Sequence, residues 1–523
     1  MGTGGALNNY SATGLPFARI VSVRMNRVAI IDIGSNSARL VIYEREPTGQ
    51  FRIVWSHRAP LRLVRDVDKS RRLSEGSISS TLTMLADFKS LIVASGARRI
   101  LAVGTSALRD AENGPQVVAR ARKELGLRIQ LIDAKKEGLL GVLGGIRALP
   151  VTRGGLFDLG GGSAQIVHFR NRRPGAARSL PLGSLRLSEA YLRHDPPSKK
   201  EIRSLRKYVQ RTLDEVSLPR LDTGDHLVGV GGTIRNLAKI DARHREYPIA
   251  RIHGYVLTRS RLAEIVELLS HKRLRNQKAV AGLSRERGDS ILGGALAIEI
   301  LADTLGADEI LVSGEGVREG LVYSWTSPKL PSVEAVRRAA VISLAERFST
   351  WDAKAAARRS QIALDLLDGL EKHARPIVRN GLEEAATLLD IGGSVDFFDR
   401  YEHAATIVMD TELGGFHHKE IAMISAIIAN ADDEDLLASR YRPLLNESED
   451  DVVEQAAVVL RLADEIQQRL PRNAPVRVSC RVDRKQVRID GYGLAGWSLP
   501  GVESRFERVF DRRLFVRSKS SKS

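Results

Sequence analysis

Two stretches of this 523-residue chain join a carboxylate to a turn rich in glycine and serine. The first runs Val28-Ala-Ile-Ile-Asp32-Ile-Gly34-Ser35-Asn36-Ser37, then returns to apolar residues. The second runs Gly155-Leu-Phe-Asp158-Leu-Gly160-Gly161-Gly162-Ser163 and does the same. An apolar run that breaks into glycines and resumes is a hairpin signal. Free N–H groups and hydroxyls in such a turn form a nest suited to phosphate oxygens. The aspartate ahead of each turn can hold a cation or a water. One copy is an ordinary hairpin. Two copies 126 residues apart (158 − 32) predict a repeated subdomain.

Further glycine turns end other apolar runs. Arg99-Ile-Leu-Ala-Val103 enters Gly104-Thr105-Ser106, Leu227-Val-Gly-Val enters Gly231-Gly232-Thr233, and Ile310-Leu-Val enters Ser313-Gly314-Glu315-Gly316. Open α/β sheets gather ligands at such strand ends. Between them lie helical patterns, such as Ile78, Leu82, Leu85, Phe88 and Leu91, spaced three and four apart. The stretch from Ile132 to Leu149, which carries Glu137, reads as a helix joining the two halves. This alternation predicts α/β layers. Pro328-Lys-Leu-Pro331 closes that part, and Ser332 can cap the first of a series of helices running to about residue 470. The segment 475–515 returns to strand character. Arg512, Arg513, Arg517, Lys519 and Lys522 read as a solvated, disordered basic tail.

Composition narrows the function classes. The apolar content of 43% is that of a globular protein, and no run of about eighteen apolar residues occurs. No membrane insertion is expected. The N-terminus lacks the basic and apolar regions of a secretion signal. Cys480 is the single cysteine, which excludes internal disulfides and thiolate metal clusters and fits a cytoplasmic location. The formal charge of +17 favours polyanionic partners. With 5% aromatics and no zinc-finger or RNA-recognition signature, a specific nucleic acid is not expected.

The ordered set Asp32-Ile-Gly-Ser-Asn-Ser, Gly104-Thr-Ser-Ala-Leu-Arg109, Asp158-Leu-Gly-Gly-Gly-Ser, Ser179-Leu-Pro-Leu-Gly-Ser, Gly231-Gly-Thr-Ile-Arg and Gly316-Val-Arg-Glu-Gly resembles the exopolyphosphatase/guanosine pentaphosphate phosphatase (Ppx/GppA) family of the actin-like ATPase superfamily. It spans about residues 25–325. The resemblance implies an α/β fold: two ribonuclease-H-like domains, an all-α HD-like domain and a small C-terminal β-containing segment. The expected boundaries are a disordered extension over 1–24, domains over 25–148 and 149–328, a helical domain over 329–472, and a β segment with basic tail over 473–523. It implies Glu137 as the base that activates water. It also implies Mg²⁺ or another divalent cation at Asp32 and Asp158. Phosphate would be bound by Gly34, Ser35, Asn36, Ser37, Arg109, Gly160, Gly161, Gly162, Ser163, Gly232 and Thr233.

The chain departs from the family at two places. Gln165 stands where a glutamate is usual, which should weaken cation binding. Lys136 precedes Glu137 in place of a second glutamate, and its charge should lower the basicity of Glu137. Residues 332–470 contain His373, His403, His417 and His418 but no His-Asp dipeptide, so this part is expected to bind a polyanion or form a homodimer and not to hydrolyse phosphate itself. The leading expectation is hydrolysis of terminal phosphate from polyphosphate. Its alternatives are a pppGpp 5′-phosphohydrolase, a non-catalytic polyphosphate or alarmone sensor, and a kinase of the same superfamily.

Overall fold

The computed structural model describes residues 27–46, 49–274, 280–327, 329–371, 373–432, 440–470, 479–491 and 500–518. The expected extension over 1–24 lies outside them. The first sheet has the order β3-β2-β1-β4-β5. Its strands are β1 (Arg27–Ile33), β2 (Ser37–Arg45), β3 (Phe51–Pro60), β4 (Arg99–Gly104) and β5 (Ile129–Leu131). The helices of this half are α1 (Val64–Ser70), α2 (Glu75–Ser95), α3 (Ser106–Asp110), α4 (Gly114–Leu125) and α5 (Ala134–Gly145).

The second half repeats the plan. Its strands are β6 (Gly154–Leu159), β7 (Ala164–Arg170), β8 (Arg173–Leu180), β9 (His226–Val230), β10 (Tyr255–Thr258) and β11 (Glu309–Val312), in the order β10-β11-β9-β6-β7-β8. Its helices are α6 (Ser184–Tyr191), α7 (Lys199–Asp214), α8 (Gly232–His244), α9 (Arg259–His271), α10 (Ile291–Leu305) and α11 (Val317–Thr326). β1 pairs antiparallel with β2 and parallel with β4, as β6 does with β7 and β9. The doubled turns therefore sit at equivalent points of two like sheets.

Strand alternation aims the aspartates. In β1, Ala29, Ile31 and Ile33 pack with α2 and α4 residues on one face, while Val28 and Ile30 pack with Leu140, Leu321 and Val322 on the other. Asp32 shares the face of Val28 and Ile30. In β6, Phe157 and Leu159 join the core with α7 to α10, while Leu156 faces Val142 of α5 and Ile146 just after it. Asp158 shares the face of Leu156. Both carboxylates thus point toward the space that α5 and α11 cross. Those two helices lie backbone against backbone: a Cβ at Gly144 would strike the Gly316 carbonyl, and one at Gly320 would strike that of Leu140.

Beyond the Pro331 boundary come α12 (Val333–Ala345), α13 (Ala353–Leu370), α14 (Pro376–Leu388), α15 (Arg400–Asp410), α16 (His418–Asp432) and α17 (Asp450–Arg469). Ser332 caps α12 through the N–H of Ala335, at 3.2 Å. The centre of this layer is ionic. Buried Arg359 donates to Asp464 at 2.7 Å and to Asp390 at 2.9 Å, and Tyr401 donates to Asp464 at 2.8 Å. His417 and His418 lie at the seam with the second sheet, where His418 bonds Tyr247 and the carbonyl of His253. Strands β12 (Ser479–Val482), β13 (Gln486–Gly491) and β14 (Arg513–Ser518) and helix α18 (Pro500–Phe510) complete the described chain. Val487, Ile489, Phe506 and Leu514 share the core of the helices.

The C-terminal tail requires a correction. Arg513 and Arg517 are not in a disordered tail: β14 pairs in parallel with β13, and its Leu514 is buried. Lys519 and Lys522 lie outside the described residues. No described helix is long and apolar enough to cross a membrane.

Two substitutions test this packing. Gly144→Ala inserts a methyl into the α5–α11 contact and is expected to cost about 1–3 kcal/mol. Asp464→Ala removes one of the two carboxylates paired with buried Arg359 and leaves Asp390 alone with it, and is expected to cost about 3 kcal/mol. Both should appear as lower midpoints in urea denaturation followed by circular dichroism.

Candidate active site

The two turns close in the same way. The Gly34 N–H donates to the Ser37 carbonyl at 3.1 Å, and the Gly160 N–H to that of Ser163 at 2.9 Å. The N–H groups of Ser35, Asn36, Gly161 and Gly162 donate to no acceptor among the described residues. The turns also face each other closely. A Cβ at Gly161 would lie 2.9 Å from the Cβ of Asn36, and one at Gly162 would lie 3.0 Å from Ser35 Oγ. Glycine is required here by proximity, and free donors from both halves converge on one cleft of about 170 Å³.

Asp32, Asp158 and Glu137 supply the carboxylates of this cleft. Asp158 is pushed up to about 6, by burial first and then by the nearby Asp32, against the pull of Arg235. Burial raises Asp32 as well, with Arg318 and Arg39 opposing. Neither aspartate accepts a side-chain hydrogen bond or forms an ion pair among the described residues. Glu137 stands in the first turn of α5, whose N-terminus is capped by Asp133 through the Lys136 N–H at 2.7 Å.

Burial lifts Glu137 to about 7. The hydrogen bond and charge of Arg109 pull it down, while Asp158 and Asp32 push it up. The pair is lopsided: Arg109 is held more firmly protonated, against the cost of its own burial, yet Glu137 remains harder to ionise than in water. Desolvation of the carboxylate outweighs its one partner. The expected lowering by Lys136 does not occur. The Lys136 ammonium turns outward to Gln130 Oε1 at 3.2 Å, so burial decides.

Most of the residues singled out from sequence line the cleft: Gly34 to Ser37, Gly160, Gly161, Ser163 and Gly232 join the three carboxylates. Gly162 lies behind, against Ser35 and Val64. Thr233 is buried beneath the cleft, with its hydroxyl 3.5 Å from Arg287 Nη1. Arg109 does not line the cleft. Its guanidinium is occupied by Glu137 Oε2 at 2.9 Å, Asp110 at 3.1 Å and the Ile132 carbonyl at 3.2 Å. Gln165 is buried and donates to Ser163 Oγ at 3.0 Å, steadying the second turn.

Five arginines went unassigned: Arg39, Arg58, Arg235, Arg287 and Arg318 all line the cleft. Arg39 pairs across strands with Asp32 and with Arg58, as Gln165 pairs with Asp158 and Ser179. The equivalent position thus carries a charge in one half and an amide in the other. Arg235 and Arg318 stand inside the Gly-Gly-Thr-Ile-Arg and Gly-Val-Arg motifs, so their signal was present. The five guanidiniums outnumber the three carboxylates. Burial and mutual repulsion push Arg39, Arg235 and Arg287 down to about 10, still protonated at neutral pH. An anion is the natural occupant.

A second cavity of about 430 Å³ lies behind the 314–319 segment, against α12. Glu319 faces it, taking the Gly316 N–H at 2.7 Å and the Tyr43 hydroxyl. That cavity is larger but lacks the glycine turns, so the chemistry is assigned to the cleft.

Comparison with known proteins agrees with this geometry. The profile of the Ppx/GppA phosphatase family matches residues 40–328, and that of Ppx/GppA phosphatase domain III matches 336–492. The chain is 31% identical to Exopolyphosphatase 2 of Mycobacterium tuberculosis over 57% of its own length and 98% of that protein. It is 30% identical to Exopolyphosphatase 1 of Mycobacterium leprae, covering 57% and 88%. The crystal structure of the Aquifex aeolicus Ppx/GppA family member superposes with a TM-score of 0.51 at 29% identity, over 58% of this chain and 97% of that one.

Removing Arg109 separates two roles. If it acts by lowering Glu137, Arg109→Leu should move the acid limb of the pH–rate profile upward from about 7. A base works when deprotonated, so the rate rises with pH through the Glu137 pKa and the variant should need higher pH for the same rate. An unshifted limb with a raised KM would instead mark Arg109 as a phosphate ligand.

Proposed function

Because this chain belongs to the Ppx/GppA phosphatase family, we propose that it is an exopolyphosphatase, which hydrolyses the terminal phosphoanhydride of polyphosphate and releases orthophosphate. The observation that carries this is the cleft, where two turns of free N–H groups and five arginines surround a buried glutamate poised near neutrality.

In this reading the terminal phosphate lies between the turns, held by the free N–H groups of Ser35, Asn36 and Gly161 and by the hydroxyls of the turns. Glu137 Oε2 is fixed by Arg109, which leaves Oε1 to take a proton from the attacking water. Arg109 is then a positioning residue. The arginines stabilise the charge that spreads over the phosphoryl oxygens as the bond loosens. The leaving chain departs as a phosphate anion and needs no proton. The remaining arginines hold the next phosphates.

Asp32 and Asp158 fit a hard divalent cation such as Mg²⁺: two buried carboxylates aimed into one cleft, without other partners among the described residues. When bound, that ion would neutralise phosphate oxygens. Gln165 supplies an amide oxygen and no charge there. The helical layer is read as a non-hydrolytic HD-type relative, with its Arg359–Asp464 pair at the centre. The expected domain limits at 148/149, 328/329 and 472/473 and a cytoplasmic location belong to the same reading.

Glu137→Gln is expected to lower phosphate release from long-chain polyphosphate by about 10²–10⁴-fold while polyphosphate binding persists. Unchanged turnover would refute the assigned base. Guanosine pentaphosphate presents the same terminal bond, so both substrates should be assayed side by side. Faster release from polyphosphate is expected, and negligible hydrolysis of both would sink the enzyme reading.

A further inference from the structure

Arg235 of the cleft ends a hydrogen-bond chain that begins in the helical layer. It is buried beside Arg318 and Arg39, whose like charges repel it. Two backbone carbonyls hold it in place. Nε donates to Gly231 at 2.9 Å and Nη1 to Gly314 at 2.6 Å. Gly314 lies in the turn between β11 and α11. Its own N–H donates to Nδ1 of His253 at 3.1 Å. The His253 carbonyl accepts from His418 Nε2 at 2.8 Å, and His418 Nδ1 accepts from the Tyr247 hydroxyl at 2.9 Å.

Bond directions fix the protons. His253 Nδ1 accepts, so its proton is on Nε2. His418 Nε2 faces a carbonyl and donates, and in the neutral ring Nδ1 accepts from the Tyr247 hydroxyl. Burial lowers His418 to about 4 and keeps it neutral. The approach is built for contact. Gly254 has φ of +86°, and a Cβ there would lie 3.1 Å from His418 Nε2. A Cβ at Gly314 would lie 3.0 Å from that of His253. The His253 Nε2–H is buried without a hydrogen-bond partner among the described residues, and Nδ1 takes the Gly314 N–H with Glu412 Oε1 3.8 Å away. His418 opens α16, whereas Tyr247, His253, Gly314 and Arg235 all belong to the second α/β half.

We propose that His418 and His253 are positioning residues for Arg235: docking of the helical layer sets the Gly314 carbonyl, and through it the guanidinium that meets phosphate. The inference rests on the reading of the cleft as the phosphate site.

The test is a double-mutant cycle on binding of polyphosphate of fixed chain length, measured by calorimetry at low salt in the Glu137→Gln background. His418→Leu should weaken binding about three- to tenfold when Arg235 is present. It should weaken binding less than about twofold when Arg235→Met is also present, because the chain then has nothing to position. His418→Gln retains an N–H for the His253 carbonyl and should recover most of the loss. Equal losses in both backgrounds, as general destabilisation would produce, overturn the proposal, and so does no loss in either. Should His418→Leu not fold, Tyr247→Phe removes only the terminal hydroxyl and is read by the same criterion. If Arg235→Met binds as tightly as its parent, the phosphate-site reading itself fails. If Arg235→Met weakens binding but His418→Leu does not, only the relay fails.

Discussion

Asp32 and Asp158 are buried in one cleft, where desolvation raises both carboxyls, and the charges gathered around them answer that cost. Like charges removed from water raise each other's pKa and must be compensated or protonated. Compensation comes from several directions: Arg39 from β2, Arg235 from α8 and Arg318 from α11, with Arg58 of β3 and Arg287 from a turn before α10 lining the same cleft. None of these lies close to the aspartates in sequence except Arg39. The cleft therefore exists only in the folded chain, as an excess of guanidinium over carboxylate waiting for an anion.

Two crossing helices make the geometry possible. Helix α5 begins at the cleft with Glu137 and ends against the second sheet. Helix α11 begins at the cleft with Arg318 and packs its Leu321 and Val322 on the first sheet. Each helix starts beside the reacting centre and anchors in the core of the opposite half. Glu137 and Arg318 are thus referred to a common frame. Glu319 adds to it by bonding both the start of α11 and Tyr43 of β2.

Much of this was legible from residue order. The aspartates, the turns and Glu137 stand in local patterns, and strand alternation alone determines that Asp32 and Asp158 share the inner faces. Gly34 and Gly160 mark turns whose closing bonds prove identical. Arg58 and Arg287 were not legible, because cross-strand register and a distant turn bring them in. The bond from Arg109 to Glu137 was not legible either: spacing places Arg109 near the cleft, and only the fold brings Glu137 to it. β8 escaped notice because Arg-Pro-Gly-Ala-Ala-Arg-Ser-Leu has neither alternation nor β-branched residues. It is a strand because β7 offers it an edge. β14 was hidden by flanking arginines, although Leu514 and Val516 meet the helical core.

The backbone contact between α5 and α11 also constrains motion. Gly144 rests against Gly316, and Gly320 against Leu140, with no side chain between them to act as a bearing. Sliding one helix along the other would drive these residues into the neighbouring turns. Rotation about the point of contact disturbs them least. The two halves are therefore held at a shared contact, and any relative movement between them is restricted to rotation about it, with Glu137 about one to two helical turns away.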